Sequence, residues 1–194
     1  EICACLVGSE MCIRDRAYDR FYKACWNAAW QDAGYFACAQ ISTMQNRLAD
    51  ALDEINHSLI RNWHNHKARA LKVAVLRRMG QSEEALQLIE DSLAIDKFNF
   101  GCRYEKYLIT NVSDELATLK EMMRGEPHNY DEIALDYCAA GCWQEAASLW
   151  NIAITEGAVT PMTYYYLGWC LVQGELPGTR QVFAQAAEMC PDYC

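Results

Sequence analysis

An all-α fold of stacked helix pairs is predicted by three observations. The sequence repeats at an offset of 34: Ser58-Leu59-Ile60-Arg61-Asn62-Trp63-His64-Asn65 lies over Ser92-Leu93-Ala94-Ile95-Asp96-Lys97-Phe98-Asn99, identical at the first, second and last places. The same register sets Ala51 over Ala85, Ile55 over Ile89 and Asn46 over Gly80. Second, apolar residues within each repeat recur three and four apart, the spacing of one helix face. Third, four prolines and ten glycines in 194 residues are too few for a sandwich or a collagen-like chain.

Taken in order, residues 1–16 share no periodicity with the remainder of the chain. Met11-Cys12-Ile13-Arg14-Asp15-Arg16 reads either as translated sequencing-adapter read-through or as part of a short native helix or strand. The helical repeat domain is therefore placed at residues 17–194, with a leading helix over Ala17–Trp30. Its Tyr18, Phe21, Tyr22, Trp26 and Trp30, at helical spacing, are expected to pack against the first hairpin. In the second repeat Ala68–Met79 is the first helix, Gly80 supplies a left-handed stop, and Ser82-Glu83-Glu84 opens the next helix with a cap and an acidic first turn. That helix runs to about Ile95 and turns Ala85, Leu86, Ile89 and Leu93 inward, the small Ala85 letting the pair approach closely. Asn46 fills the glycine slot of the preceding copy, since Asn tolerates the left-handed region. One unit is degenerate: Cys102–Ile109 and Asp114–Arg124 keep a helical pattern without the alanines. Asn129 lies twelve residues before Gly141, whereas Asn65 lies fifteen before Gly80, so the first helix of that following unit reads as shortened.

These residues resemble the tetratricopeptide repeat. Ala134, Tyr137, Gly141, Ala146, Trp150 and Ala153 fall on its signature positions in order; Tyr164, Leu167-Gly168, Phe183, Ala186 and Pro191 do so in the last repeat, with the turn around Gly174 one residue short. Ala39, Ala51, Ile55 and Ser58 mark an earlier copy. The resemblance implies a right-handed α-solenoid of about five stacked helix-turn-helix repeats plus the leading helix. More narrowly, residues 17–24 and 65–72 resemble the helical C-terminal part of large bacterial proteins, in which the array follows an uncharacterised, carbohydrate-related N-terminal region.

Composition bounds the function. With 52% apolar and 22% charged residues the chain buries a sizeable core, and 26 acidic against 17 basic residues, a net charge of -9, argue against nucleic acid or an anionic membrane as partner. No apolar run approaches the roughly 18 residues of a membrane span. Eleven cysteines cannot pair completely. Cys25, Cys38, Cys102, Cys138, Cys142 and Cys170 sit at helix-interior positions and read as core thiols, which points to a reducing, cytoplasmic compartment. A start at Glu1 without a leader and a stop at Cys194 read as a fragment.

Catalytic chemistry has no motif here: no phosphate-binding glycine loop, nucleophile elbow or zinc-protease helix occurs. His64 and His66 read as loop histidines with no third metal ligand, and neither Cys138 with Cys142 nor Cys190 with Cys194 has metal or redox spacing. No catalytic, cofactor or metal site is assigned. The carboxylates of Asp50, Asp53, Glu54, Glu83, Glu84, Glu90 and Asp91 read as the solvated faces of second helices. The basic run Lys67, Arg69, Lys72, Arg77 and Arg78 concentrates positive charge on one helix of an acidic protein.

In the resembled family the first helix of each pair lines the concave surface. That places Phe36, Gln40, Thr43, Lys67, Ala70, Ala74, Arg77, Tyr104, Leu108 and Asn111 on a partner-binding groove, with Lys67, Arg77 and Tyr104 the leading contacts. The asparagine and lysine clamp for a C-terminal carboxylate is missing, its positions holding Ala37, Leu71 and Glu105. The expected function is a non-catalytic scaffold for a peptide or protein domain, including the chain's own missing N-terminal region. The alternative is the structural tail of a carbohydrate-active bacterial enzyme. Self-association through the last helix, with Val182, Phe183 and Met189, is a further expectation.

Overall fold

A computed structural model describes the backbone of residues 2–189 and the side chains of residues 13–189. It contains α1 (Ile2–Ala24), α2 (Gln31–Met44), α3 (Leu48–Arg61), α4 (His66–Arg78), α5 (Ser82–Ile95), α6 (Phe100–Thr110), α7 (Ser113–Met123), α8 (Pro127–Ala139), α9 (Trp143–Thr155), α10 (Pro161–Gln173) and α11 (Thr179–Met189), and no strand among the described residues. The chain divides into two compact units, Glu1–Ser92 and Leu93–Cys194.

In the first unit α1 packs on α2, α2 pairs with α3, and α4 lies against both α3 and α2. In the second, α6 pairs with α7, α8 with α9 and α10 with α11, and α10 also packs on α8 and α9. The 34-residue period sets the helix starts: α3 and α5 begin at Leu48 and Ser82, α4 and α6 at His66 and Phe100, α8 and α10 at Pro127 and Pro161. Ala51, Ala85 and Ala146 are the fourth residues of α3, α5 and α9, and all three are completely enclosed. Ile55, Ile89 and Trp150, four residues on along the same helix face, are enclosed too.

One backbone device closes the hairpins. Arg47 N donates to Ser42 O, Gln81 N to Leu76 O, Cys142 N to Tyr137 O and Leu176 N to Leu171 O, at 2.8–2.9 Å, each preceded by a residue of positive φ. Asn46 takes that seat at φ 58° and Gly80 at 77°, as expected. In the last hairpin the seat belongs to Glu175, at φ 52°, and Gly174 has an ordinary φ of -85°. The turn is thus in full register, 34 residues after Gly141, and not one short. Gly174 is glycine for room: a Cβ there would lie 2.5 Å from Trp143 Cβ.

Three other expectations are corrected. The first helix of the unit after the degenerate one is not shortened: α8 and α4 both have 13 residues, because Pro127 opens α8 at its first turn while Asn129 Nδ2 donates to Met123 O at 3.2 Å. The leading helix stops at Ala24; Asn27 Oδ1 accepts from Ala29 N and caps a separate 3₁₀ turn, Ala28–Trp30. Of its aromatics only Tyr18 is half-buried, whereas Phe21, Tyr22, Trp26 and Trp30 are exposed. Trp26 and Trp30 lie beyond the end of α1, so the five rings do not share one helix face; Tyr22 stacks on Tyr18 at 6.2 Å between ring centres. The helix α1 runs through the junction of residues 16 and 17, and Cys190, Pro191 and Cys194 lie outside the described residues.

Candidate functional site

The linkers that deliver each first helix are held from within. Asn65 and Asn99 cap α4 and α6 by accepting from Ala68 N and Cys102 N. Four residues on, the Arg69 Nε donates back to Trp63 O and the Arg103 Nε to Lys97 O, at 3.0 and 2.7 Å. Arg69 is 1% exposed; its Nη1 donates to Ser92 Oγ at 3.1 Å and its guanidinium lies 3.9 Å from the Trp63 ring centre. Of the basic run on α4, therefore, Arg69 faces inward and is removed from any contact surface.

Of the remaining cations, Lys67 and Arg77 fall on one face of α4 in the first unit, while Arg78 Nη2 donates to Asn46 Oδ1 at 3.0 Å. Phe36 and Gln40, one turn apart on α2, are half-buried. On α4, which packs against α2, Lys67 is exposed and Ala70 and Arg77 are half-buried. Lys67, Ala70 and Arg77 share one face by their spacing of three and seven. Thr43 and Ala74 fall in the same register but are completely enclosed, Thr43 Oγ1 donating to Ala39 O at 2.7 Å. They make the floor of the strip and offer no atom to a partner.

In the second unit Leu108 is half-buried and Asn111 is exposed, closing α6 in the left-handed region at φ 53°. Tyr104, expected on the groove, is instead completely enclosed: its hydroxyl donates to Glu145 O at 3.3 Å, its ring meets Tyr137 edge-on at 5.8 Å, and burial pushes the phenol up to about 12. The neighbouring Glu105 is enclosed as well and accepts from the Tyr137 hydroxyl at 2.6 Å. With Leu71 also buried and Ala37 half-buried, the positions that would clamp a terminal carboxylate are built into the packing.

Besides Glu105, two further carboxylates, Glu54 and Asp131, are buried without any local signal in the sequence. Glu54, expected on a solvated face with its neighbours, is 6% exposed and accepts from the Tyr18 hydroxyl at 2.5 Å. Burial holds its carboxyl above the usual range against the pull of Tyr18, Ser42 and Arg47. Asp131, 6% exposed, accepts from Trp150 Nε1 at 2.8 Å and from Thr163 Oγ1 at 3.4 Å, and burial raises it likewise. Asp50, Asp53, Glu83, Glu84, Glu90 and Asp91 are exposed, as expected.

The six core thiols are free and buried. Desolvation pushes Cys38 up to about 12, far from the thiolate needed for nucleophilic or metal chemistry. His64 is exposed in its loop, and His66 is the first residue of α4. Among the described residues no three His, Cys, Asp or Glu side chains converge to hold a metal ion, and no helix is long and apolar enough to cross a membrane.

Helix pairs that recur at 34 residues in three places, an enclosed alanine at the fourth place of α3, α5 and α9, and left-handed residues in the turns are the features of an α-solenoid fold of the tetratricopeptide-repeat type. A solved structure agrees in fold. A tetratricopeptide repeat protein from Parabacteroides merdae is similar at a TM-score of 0.51 and 16% identity, over 95% of this chain and 75% of that one. Looser likenesses are YrrB, a TPR protein described as having an unusual peptide-binding site (TM-score 0.45, 17% identity, 89% and 93% covered), and MamA from Desulfovibrio magneticus RS-1 (0.46, 12%, 82% and 94%). No protein-family model and no curated protein matches the chain.

Proposed function

We propose that the chain is a non-catalytic protein-binding scaffold whose contact surface is the strip formed by α2 and α4. The observation that carries this reading is that an exposed Lys67 and a half-buried Arg77 stand on one face of α4, which packs on the α2 that bears Phe36 and Gln40, in a protein of net charge -9. Lys67 and Arg77 lie ten residues apart on α4, about 15 Å along the helix axis. An extended segment covers that distance in about four or five residues. The partner is then an extended peptide, or a segment of an adjoining domain, with carboxylates at that spacing and an apolar side chain between them for Phe36. Tyr104 has no part in it.

Arrayed peptides varying in carboxylate spacing test this with the intact chain. Acidic peptides with charges four or five apart bind, and Lys67→Glu with Arg77→Glu weakens them by about tenfold or more while the helical circular dichroism is unchanged. Equal binding of acidic and basic peptides, or affinity indifferent to the two reversals, refutes the assignment.

A further inference from the structure

The aromatic side chains that the first unit leaves uncovered lie at the end of α1 and in the turn after it. Phe21, Tyr22, Trp26 and Trp30 are 42%, 47%, 77% and 61% exposed. A monomer scatters single apolar side chains over its surface, but four rings within ten residues of chain form a patch of the kind that other proteins cover. The chain between them is uncharged from Ala24 to Gln31, and its residues Asn27, Ala28 and Ala29 are exposed. An exposed Lys23 stands before this stretch and a half-buried Asp32 after it, one carboxylate oxygen of Asp32 accepting from Asn62 Nδ2 at 3.1 Å.

We infer that this patch is a self-association surface, on which the Trp26–Trp30 segments of two copies of the chain meet antiparallel about a two-fold axis. Two features select a second copy as the occupant. The first is charge: a segment with a cation at one end and an anion at the other is its own complement when reversed, so Lys23 of each copy approaches Asp32 of the other. The second is area. At about 200 Å² per aromatic side chain, the four exposures leave roughly 450 Å² of ring surface, or about 900 Å² from two copies. That falls below the roughly 1,200 Å² at which stable interfaces begin, in the range of transient ones. The pairing is therefore weak and reversible, with a dissociation constant of micromolar order. On α11 Val182 and Phe183 are half-buried, Phe183 lying on Gly168, and Met189 is the one exposed side chain of the three, against four exposed rings at the α1 end. This inference is independent of the α2–α4 strip.

Sedimentation of the full chain from about 1 to 200 µM tests it. The weight-average mass rises from 22.1 kDa towards twice that value, and Trp26→Glu or Trp30→Glu holds it at the monomer mass with an unchanged melting temperature. Lys23→Asp and Asp32→Lys each weaken the dimer by about tenfold, and the two together restore it, a recovery that mere damage to α1 or α2 does not produce. A wild-type mass of 22.1 kDa at every concentration, a dimer indifferent to Trp26→Glu, or a double exchange no tighter than the single ones overturns the proposal.

Discussion

Gly174 and Glu175 are neighbours on which substitutions act with opposite sign. Gly174 has an ordinary φ of -85°, so alanine there is conformationally welcome and, by narrowing the unfolded ensemble, stabilises by about 0.4–1 kcal/mol. Against that, the new Cβ meets Trp143 Cβ at 2.5 Å, Trp143 Cγ at 2.9 Å and Cys170 O at 3.3 Å. The first of these atoms is fixed to the backbone of α9 and cannot swing aside, so the helices must part, at about 1–3 kcal/mol. Overpacking wins, and Gly174→Ala destabilises by about 1–2 kcal/mol. In a chain of this size that is a drop of about 2–8 °C in melting temperature. Glu175→Gly relieves a left-handed residue at φ 52° and raises the melting temperature by about 1–3 °C, its backbone entropy offsetting part of the gain. Thermal melts followed by circular dichroism at one pH measure both. A Gly174→Ala variant melting at or above the wild type refutes the seating of Trp143 on Gly174.

The buried polar groups have measurable consequences of their own. Burial raises the folded-state pKa of Asp131, so its contribution to stability is present below the ordinary aspartate range and is lost as pH rises through the folded value. Asp131→Asn keeps an acceptor for Trp150 Nε1 without the charge; urea midpoints should favour the variant increasingly as pH rises, and a constant difference contradicts the burial argument. Arg69→Lys cannot reach Trp63 O and Ser92 Oγ together, and loses about 1–3 kcal/mol by denaturation with a shift in Trp63 emission; an unchanged midpoint would show that the fork is dispensable.

The period, the small seats Ala51, Ala85 and Ala146, and the turn residues Asn46 and Gly80 were readable because each reports a local requirement recurring at a fixed offset. Gly174 misled because a glycine serves either positive φ or close approach, and only the position of Trp143 tells which applies. Glu54 and Asp131 were invisible as buried groups because the donors that replace their water, Tyr18 and Trp150, are 36 and 19 residues away in sequence. Tyr104 was misplaced for the same reason: its hydroxyl partner is 41 residues on. Helical spacing suggested one aromatic stripe from Tyr18 to Trp30, but periodicity cannot say that the helix breaks at Ala24 or whether anything packs on the rings. Pro127 and Pro161, one period apart at helix starts, were the overlooked signal that α8 has full length.

The arginines that reach back to Trp63 O and Lys97 O convert two surface connections into cross-braced ones. A joint fastened in this way resists proteolytic nicking and tolerates neither lengthening nor grafted sequence. Foreign segments are better accommodated at Gly157, which has open space where a side chain would stand, than at Gly125, whose turn is braced in the same way by Asn129 Nδ2 donating back to Met123 O.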